Sequence, residues 1–155
     1  YDTVRFYESV TLLRRYFDHV AVTTDLITGF PEETEEEFAQ TLAFIQRCGF
    51  AAMHIFPYSI RPGTKAAAMP QLTAAVKEER AGRAAEAAHR MRRQYLEGCV
   101  GRTYPVLFEQ EKNGLYTGHA PNYAEVAVKG QELHNQVREV TITGCNGEIL
   151  LGELT

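Results

Sequence analysis

A strand–turn–helix–strand pattern between Thr23 and Thr64 constrains the fold of this chain more than any other feature. A β-branched run with a polar tip, Val22–Ile27, leads into a Gly/Pro turn, an amphipathic helix and a second short strand, His54–Tyr58. Only a crossover connection joins parallel strands, so this pattern predicts a βαβ unit. The near-continuous apolar run predicts that both faces of the first strand are buried. Ligands of open α/β sheets and α/β barrels bind at the carboxyl ends of the strands, and we expect part of a site there.

The helix between the two strands is specified at both of its ends. Thr34 and Glu37 form a Thr-x-x-Glu capping box, and Gly49 suits the left-handed position that ends a helix. The acidic run around the helix start is explained by the helix dipole more simply than by a metal or basic-partner site. The predicted buried face consists of apolar residues at helical spacing: Phe38, Leu42 and Ile45.

The rest of the chain divides into three patterns. Residues 2–17 predict a helix, and residues 72–98 predict a long, Ala-rich connector helix with few apolar anchors. From residue 99 the period changes to two, and five short strands are bounded by Gly, Asn or Pro, with Asn113-Gly114 and Asn146-Gly147 as turns. Five strands of this kind predict a small OB-like barrel. The expected fold class is therefore α/β plus all-β, with segments 1–71, 72–98 and 99–155.

Several classes of function are excluded or disfavoured by composition. The three scattered cysteines, Cys48, Cys99 and Cys145, favour a reducing, cytoplasmic location and structural roles. No zinc spacing, nucleophile–base set or phosphate-binding glycine loop is present in the sequence, so we predict no metal site and no complete catalytic set. No apolar run approaches the ~20 residues that span a bilayer, so we expect no membrane partner. Since the sequence starts at Tyr1 without an initiator Met, we expect a fragment of a longer protein.

Five residues near the carboxyl ends of the two predicted strands are candidates for ligand contact. Asp25 is predicted at a strand tip, Gly29 permits close backbone approach, and Glu33 lies just before the helix cap. A capping or turn carboxylate is an equally good interpretation of Asp25. Tyr58 and Arg61, beyond the second strand, suit stacking on a base or binding a carboxylate, or else are a structural tyrosine and a surface arginine.

The connector segment 72–98 is the only basic part of the chain, with a net charge of +2 between two segments of −3 each. Its arginines, among them Arg80, Arg83 and Arg90, form either a solvated surface or a contact for a polyanion.

Two long motifs, in order, resemble the radical S-adenosylmethionine methylthiotransferases of tRNA. They are TDLITGFPEET at residues 24–34 and FPYSIRPGT at residues 56–64. The small barrel resembles the TRAM domain of that family. GHAPNY at residues 118–123, followed by VAV at 126–128, is most similar to the branch that acts on threonylcarbamoyladenosine, and the isopentenyladenosine branch is the nearest alternative. The resemblance extends over essentially the whole chain.

The resemblance implies the last part of a TIM-like barrel, a connector and an RNA-binding domain. It also implies S-adenosylmethionine and two [4Fe–4S] clusters in the complete enzyme, which adds sulfur and a methyl group to an adenine carbon. The Cys-x-x-x-Cys-x-x-Cys loop of the radical cluster does not occur in this sequence, so we expect the chain alone to retain no cofactor and to be inactive. The candidate strand-end residues map near S-adenosylmethionine. Glu32 departs from the family pattern, which usually has Gly there.

The implied partner is the anticodon stem-loop of tRNA. Asn122, Tyr123 and Lys129 of the barrel are candidates for RNA contact, and the basic connector is expected to share the electrostatic work. A non-catalytic RNA-binding module and another radical enzyme whose barrel binds protein are the alternatives. The sulfur donor is not identified. Because a partial barrel leaves strand edges uncovered, a dimer or a swapped assembly is also expected.

Overall fold

The computed structural model describes residues 2–155. The chain forms two compact units, the first comprising residues 2–12 and 22–91 and the second residues 13–21 and 92–155. Two of the boundaries between the units lie inside helices, α1 (Thr3–Tyr16) and α3 (Ala74–Glu97), and the third lies between residues 21 and 22, before the first strand. The division at residues 71 and 98 that the sequence suggests stays a prediction.

The first unit contains the predicted βαβ arrangement. Strand β1 (Thr23–Thr28) leads into helix α2 (Glu35–Cys48) and then into strand β2 (Ala52–Pro57). The two strands pair in parallel, with Asp25 opposite His54. A short 3-10 helix, Lys65–Ala68, interrupts the loop that precedes α3. The order and type of these elements agree with the sequence-based expectation.

Both ends of α2 have the caps that the sequence predicts. The Thr34 hydroxyl accepts a hydrogen bond from the Glu37 amide at 3.2 Å, and the Glu37 carboxylate accepts one from the Thr34 amide at 2.8 Å. At the other end Gly49 has a φ of +63°. These contacts satisfy backbone groups that a helix terminus otherwise leaves without partners.

The core of the first unit forms between the helices and one face of the two-stranded sheet. Its buried members come from α1, α2, α3 and the loop between α2 and β2: Val10, Ile45, Cys48, Phe50, Ala87 and Met91. The opposite face of the sheet is exposed, with Ile27 at 56% and Phe56 at 51%. The prediction that both faces of β1 are buried is therefore wrong for this structure, in which alternate side chains of β1 point away from the core.

The second unit contains the closed five-stranded barrel that the period-two pattern predicts. Its strands are β3 (Thr103–Lys112), β4 (Leu115–His119), β5 (Glu125–Lys129), β6 (Val137–Cys145) and β7 (Leu150–Leu154). Their order around the barrel is β3-β4-β5-β7-β6, and β5 and β7 are the parallel pair. Closure leaves no open sheet edge, and the architecture is compatible with an OB-like barrel.

Turn chemistry and alternating burial set the register of this barrel. Asn113 and Gly114 have φ values of +57° and +74°, as the two-residue turn between β3 and β4 requires. Val106 and Phe108 point inward and are fully buried, whereas Leu107 between them is exposed. The barrel interior is filled by apolar residues from β3, β5, β6, β7 and a connecting loop: Val106, Phe108, Val126, Val128, Leu133, Val140, Ile142 and Leu150.

Candidate functional site

The turn after β1 is tightly constrained, and it contains the departure from the family pattern. The Glu33 amide donates to the Phe30 carbonyl at 3.0 Å, which closes a four-residue turn. Pro31 occupies its second position, and Glu32 occupies the third with a φ of +65°. These are the features of a type II turn, in which the third position favours Gly. Glu32 is exposed, so its side chain tolerates the position, and the cost lies in its backbone conformation.

A buried ion pair anchors this turn within the first unit. Nη1 of Arg80 donates to the Glu33 carboxylate at 2.6 Å and to the Glu33 carbonyl at 2.8 Å. The same carboxylate oxygen accepts the Gly29 amide at 2.9 Å. The Arg80 and Glu33 side chains are only 6% and 14% exposed. Glu33 thus closes the turn with one carboxylate oxygen, and Arg80 neutralises it.

Gly29 is required by the packing of α3. It lies at a φ of +68°, and a Cβ there would come within 2.7 Å of Cγ of Lys77. The close approach expected of Gly29 is therefore an approach to a helix side chain, which sequence reasoning did not identify. Whether Gly29 and Glu33 also contact a cofactor stays a prediction.

The exposed face of the β1–β2 sheet combines apolar, acidic and imidazole side chains. Asp25 lies in the middle of β1, and not at its tip as predicted, because the strand continues to Thr28. The exposed His54 is the register partner of Asp25, and two residues further along the strands Ile27 and Phe56 form the next pair on the same face. This face offers an apolar surface beside a carboxylate and an imidazole.

Tyr58 and Phe30 meet at the carboxyl ends of the two strands. Their ring centroids lie 5.1 Å apart in an edge-to-face arrangement, and Nζ of Lys77 lies 5.0 Å from the Tyr58 ring centroid. The Tyr58 amide donates to the Thr28 carbonyl at 2.8 Å, which fixes where β2 ends. The Tyr58 hydroxyl is buried without a hydrogen-bond partner among residues 2–155. Arg61 is exposed in the following loop.

The arginines of α3 do not form one surface. Arg80 is buried, so the interpretation of this residue as a solvated surface cation is wrong. Arg83 is partly exposed and donates to Glu35 at 2.7 Å and to Glu79 at 3.1 Å, and these bonds raise the pKa of its guanidinium. Arg90 is exposed. An RNA contact by Arg80 would require its buried ion pair to open, whereas Arg90 needs no such change; both contacts stay predictions.

In the second unit, a tight turn between β4 and β5 holds Tyr123. This side chain is 87% exposed, and its φ is +58°. The neighbouring Asn122 points into the unit, where Nδ2 donates to the Tyr95 hydroxyl at 3.0 Å and Oδ1 accepts the Ala124 amide at 3.1 Å. The two residues that the sequence groups as RNA contacts therefore have different surroundings.

Tyr95 and Cys99 contact the Asn122 amide, and His19 packs against both of them. The His19 and Tyr95 rings stack with centroids 4.5 Å apart, and the Tyr95 hydroxyl donates to the His19 carbonyl at 3.1 Å. Burial lowers the pKa of His19 and raises the pKa of the Cys99 thiol. A neutral imidazole beside a protonated thiol is a structural arrangement and lacks the thiolate that nucleophilic chemistry requires.

Lys129, the third candidate of the barrel, lies at the far end of the β4–β5 hairpin from Tyr123. It is exposed and lines an open groove of about 770 Å³ together with Lys112, Thr117 and Gln131. Because Leu115 pairs with Lys129 and His119 pairs with Glu125, the lysine and the Tyr123 turn are separated by the length of the hairpin. The structure brings Asn122 and Tyr123 together but leaves Lys129 apart from them.

Within residues 2–155, no group of three or more His, Cys, Asp or Glu side chains is arranged to bind a metal ion. Cys48 and Cys99 are buried and Cys145 is half-buried, and none of the three forms a disulfide in the described part of the chain. No helix in the described part of the chain is long and apolar enough to cross a membrane.

Comparison with known proteins gives the chain a consistent set of relatives, although no protein-family profile matches it. It is 35% identical over 133 residues to the threonylcarbamoyladenosine tRNA methylthiotransferase of Bacillus subtilis, and the aligned region covers 82% of this chain and 30% of that protein. It is 39% identical over 147 residues to the tRNA-2-methylthio-N(6)-dimethylallyladenosine synthase of Maricaulis maris, and the aligned region covers 92% of this chain and 32% of that enzyme. The enzyme of the same name from Pelotomaculum thermopropionicum is 34% identical over 160 residues, and the aligned region covers 100% of this chain and 36% of that enzyme.

The homologues of this chain are thus tRNA-modifying enzymes. More narrowly, they are tRNA methylthiotransferases, as the sequence resemblance implies, and they include both the threonylcarbamoyl and the dimethylallyl kinds. The chain spans about a third of the length of these curated relatives.

Proposed function

We propose that this chain is the C-terminal part of a cytoplasmic tRNA methylthiotransferase of the radical S-adenosylmethionine type. The observation that carries the proposal is the similarity, at 34–39% identity over nearly the whole chain, to enzymes of that activity. The first unit would supply the last strands of the catalytic barrel, and the second would be an RNA-binding TRAM domain. The chain alone would be inactive.

The exposed face of the β1–β2 sheet supports the cofactor part of the proposal. A parallel sheet is normally covered on both faces, so Ile27 and Phe56 are exposed where a complete barrel would have an interior. Apolar side chains beside Asp25 suit the nucleoside part of S-adenosylmethionine. When bound, this cofactor supplies the methyl group and the radical chemistry of the reaction.

Some of the candidate residues are proposed to contact the cofactor, and others to hold the turn beside it. Asp25, Tyr58 and Arg61 are the proposed direct contacts, since Asp25 and Arg61 are exposed and Tyr58 is half-buried at the strand ends. Gly29 and Glu33 would act by holding the turn that places Phe30 beside Tyr58. The described residues do not fit an iron–sulfur cluster, because the three cysteines are dispersed and form no ligand group. We therefore assign both clusters to the rest of the enzyme.

The second unit is the proposed tRNA-binding part, and the anticodon stem-loop is its proposed ligand. Tyr123 and Lys129 of this unit are exposed and are its proposed contacts. The exposed Arg90 and the partly exposed Arg83, which lies near its glutamate partners, belong to the first unit and are proposed as further RNA-contacting cations. We favour threonylcarbamoyladenosine next to the anticodon as the substrate, because of the GHAPNY motif at residues 118–123. Dimethylallyladenosine is the alternative, and the relatives include enzymes of both kinds.

RNA binding by the 155-residue chain tests this proposal. We expect a fluorescently labelled anticodon stem-loop to bind with an affinity that decreases as salt increases, because phosphate contacts release counterions. Arg90→Gln is expected to reduce the slope of log affinity against log salt by about 1. Arg15→Gln, an exposed cation of α1 without a proposed role, is the matched control. Absence of binding at low salt would refute the RNA-binding part of the proposal.

A further inference from the structure

Tyr123 combines an exposed aromatic ring with an unfavourable backbone. At 87% exposure it is the most exposed of the large apolar and aromatic side chains that the structure describes. Its φ of +58° lies in the left-handed region, which is uncommon for bulky residues. Such conformations persist where the surrounding structure determines them and are concentrated at functional sites.

The surroundings of Tyr123 do determine it. The Tyr123 amide donates to the Ala120 carbonyl at 2.9 Å, and the Ala120 amide donates to the Ala124 carbonyl at 3.0 Å. Asn122 then joins the turn to Tyr95, whose ring is stacked on His19 with an interplanar angle of 8°. The turn is therefore fixed from within the second unit while the Tyr123 ring stays outside. Little conformational freedom of the turn remains to be lost on binding.

The charge of the barrel segment indicates which ligand chemistry suits this ring. Residues 99–155 contain four basic and seven acidic side chains, a net charge of −3. A surface of this sign gains little from phosphate contacts, whereas stacking of a base on an aromatic ring needs no charge. Bases inside a duplex present no free face, so the ring suits an unpaired base of an RNA loop.

We infer that Tyr123 is the stacking platform for one unpaired base of the RNA, and that Asn122 is its positioning residue without contacting RNA. This inference rests on the proposed RNA-binding function and adds to it the part of the RNA that the barrel recognises. It separates two residues that the sequence motif places side by side. Asn122 acts through the turn and through Tyr95, and Tyr123 makes the contact.

The test uses the 155-residue chain and an RNA stem-loop with 2-aminopurine, a fluorescent base, in its loop. Stacking on Tyr123 is expected to quench this fluorescence on binding. Tyr123→Asn removes the ring but suits the left-handed backbone, so we expect roughly tenfold weaker binding and loss of quenching. The unfolding midpoint of this variant is expected to be unchanged or higher, because the backbone strain is relieved. Tyr123→Phe is expected to retain both signals.

Tyr16→Ala is the matched control, since Tyr16 of α1 is 77% exposed and has no proposed contact. If the wild-type chain binds the stem-loop and Tyr123→Asn binds it equally well, the stacking inference is wrong while the proposed function stands. In that case the turn would be free to serve a protein contact instead. If the wild-type chain does not bind the stem-loop at all, the proposed function itself fails.

A double-mutant cycle tests the role of Asn122. Asn122→Ala is expected to weaken binding when Tyr123 is present, and to have no further effect in the Tyr123→Asn background. An equal loss of affinity in both backgrounds would show that Asn122 contacts RNA or only stabilises the unit, and would overturn its positioning role. The unfolding midpoint of each variant is measured in parallel, so that affinities are compared among folded proteins.

Discussion

Glu32 lies in solvent, yet its backbone has a φ of +65°. The side chain is thus easy to accommodate, and the cost of the residue comes from the left-handed region that the third position of the turn requires. The family that this motif resembles usually has Gly here, and the positive φ of the turn is a physical reason for that preference. A sequence motif can therefore mark a backbone requirement even where the present residue violates it.

Glu32→Gly is predicted to stabilise the first unit by about 0.5–1 kcal/mol, the relief of left-handed strain minus the extra chain entropy of Gly. Urea denaturation measures this free energy of unfolding. The control is the same substitution at Glu86, which is exposed in the middle of α3 and is expected to cost about 1 kcal/mol. Destabilisation by Glu32→Gly would show that its side chain makes a contact that outweighs the strain.

The contact partners of individual side chains are the hardest feature to predict from the sequence. Asp25, Gly29 and Glu33 were all identified as notable, but the sequence contains no signal for the partner of Glu33, which is 47 positions away at Arg80. The sequence pattern does not distinguish the one arginine of α3 that is buried from those that are exposed. The same limit applies to Asn122, whose partner Tyr95 lies on another element.

At the scale of elements, the capping box and Gly49 place both ends of α2 correctly, because helix termini depend on local hydrogen bonds. The turns at Asn113 and Gly114 and at Gly147 were equally predictable, since positive φ restricts residue choice. Which face of an element is buried was less predictable. Apolar residues recur at helical spacing along α1, but only Val10 is buried, and Val4 is 66% exposed. Burial depends on neighbouring elements that periodicity does not specify.

The first half of α3 is more than a connector, because Arg80 anchors the β1–α2 turn. Arg80→Met is predicted to destabilise the first unit by about 2–4 kcal/mol, since it leaves the Glu33 carboxylate buried without its cation. The Gly29 amide, which shares that carboxylate, is expected to exchange its hydrogen faster than in the wild-type chain.

Arg90→Met on the exposed side of the same helix is the control, expected to change the free energy of unfolding by no more than about 0.5 kcal/mol. Chemical denaturation compares the two variants, and hydrogen exchange follows the Gly29 amide. Similar small effects of both substitutions would show that the Arg80–Glu33 pair contributes little to the turn.

At the scale of the whole molecule, the barrel was predictable because five short strands with strong turn signals have few alternatives to closure. The first unit was predictable as a βαβ arrangement, but its two-stranded sheet leaves one face exposed. On the proposed function, the rest of the catalytic barrel would cover that face, since the chain spans about a third of the length of its relatives. We interpret it as the interior of a barrel whose other strands lie elsewhere in the complete protein.

The proposed activity belongs to the complete protein, and the nucleoside composition of tRNA reports it. The complete reading frame that encodes this chain is expressed in a bacterial strain without tRNA methylthiotransferases, and digested tRNA is analysed by mass spectrometry. We expect a 2-methylthio derivative of threonylcarbamoyladenosine to appear, and to be lost when the reading frame is truncated before residue 99. The dimethylallyl derivative would support the alternative substrate. Absence of any methylthiolated adenosine, with the protein expressed and its clusters assembled, would contradict the account.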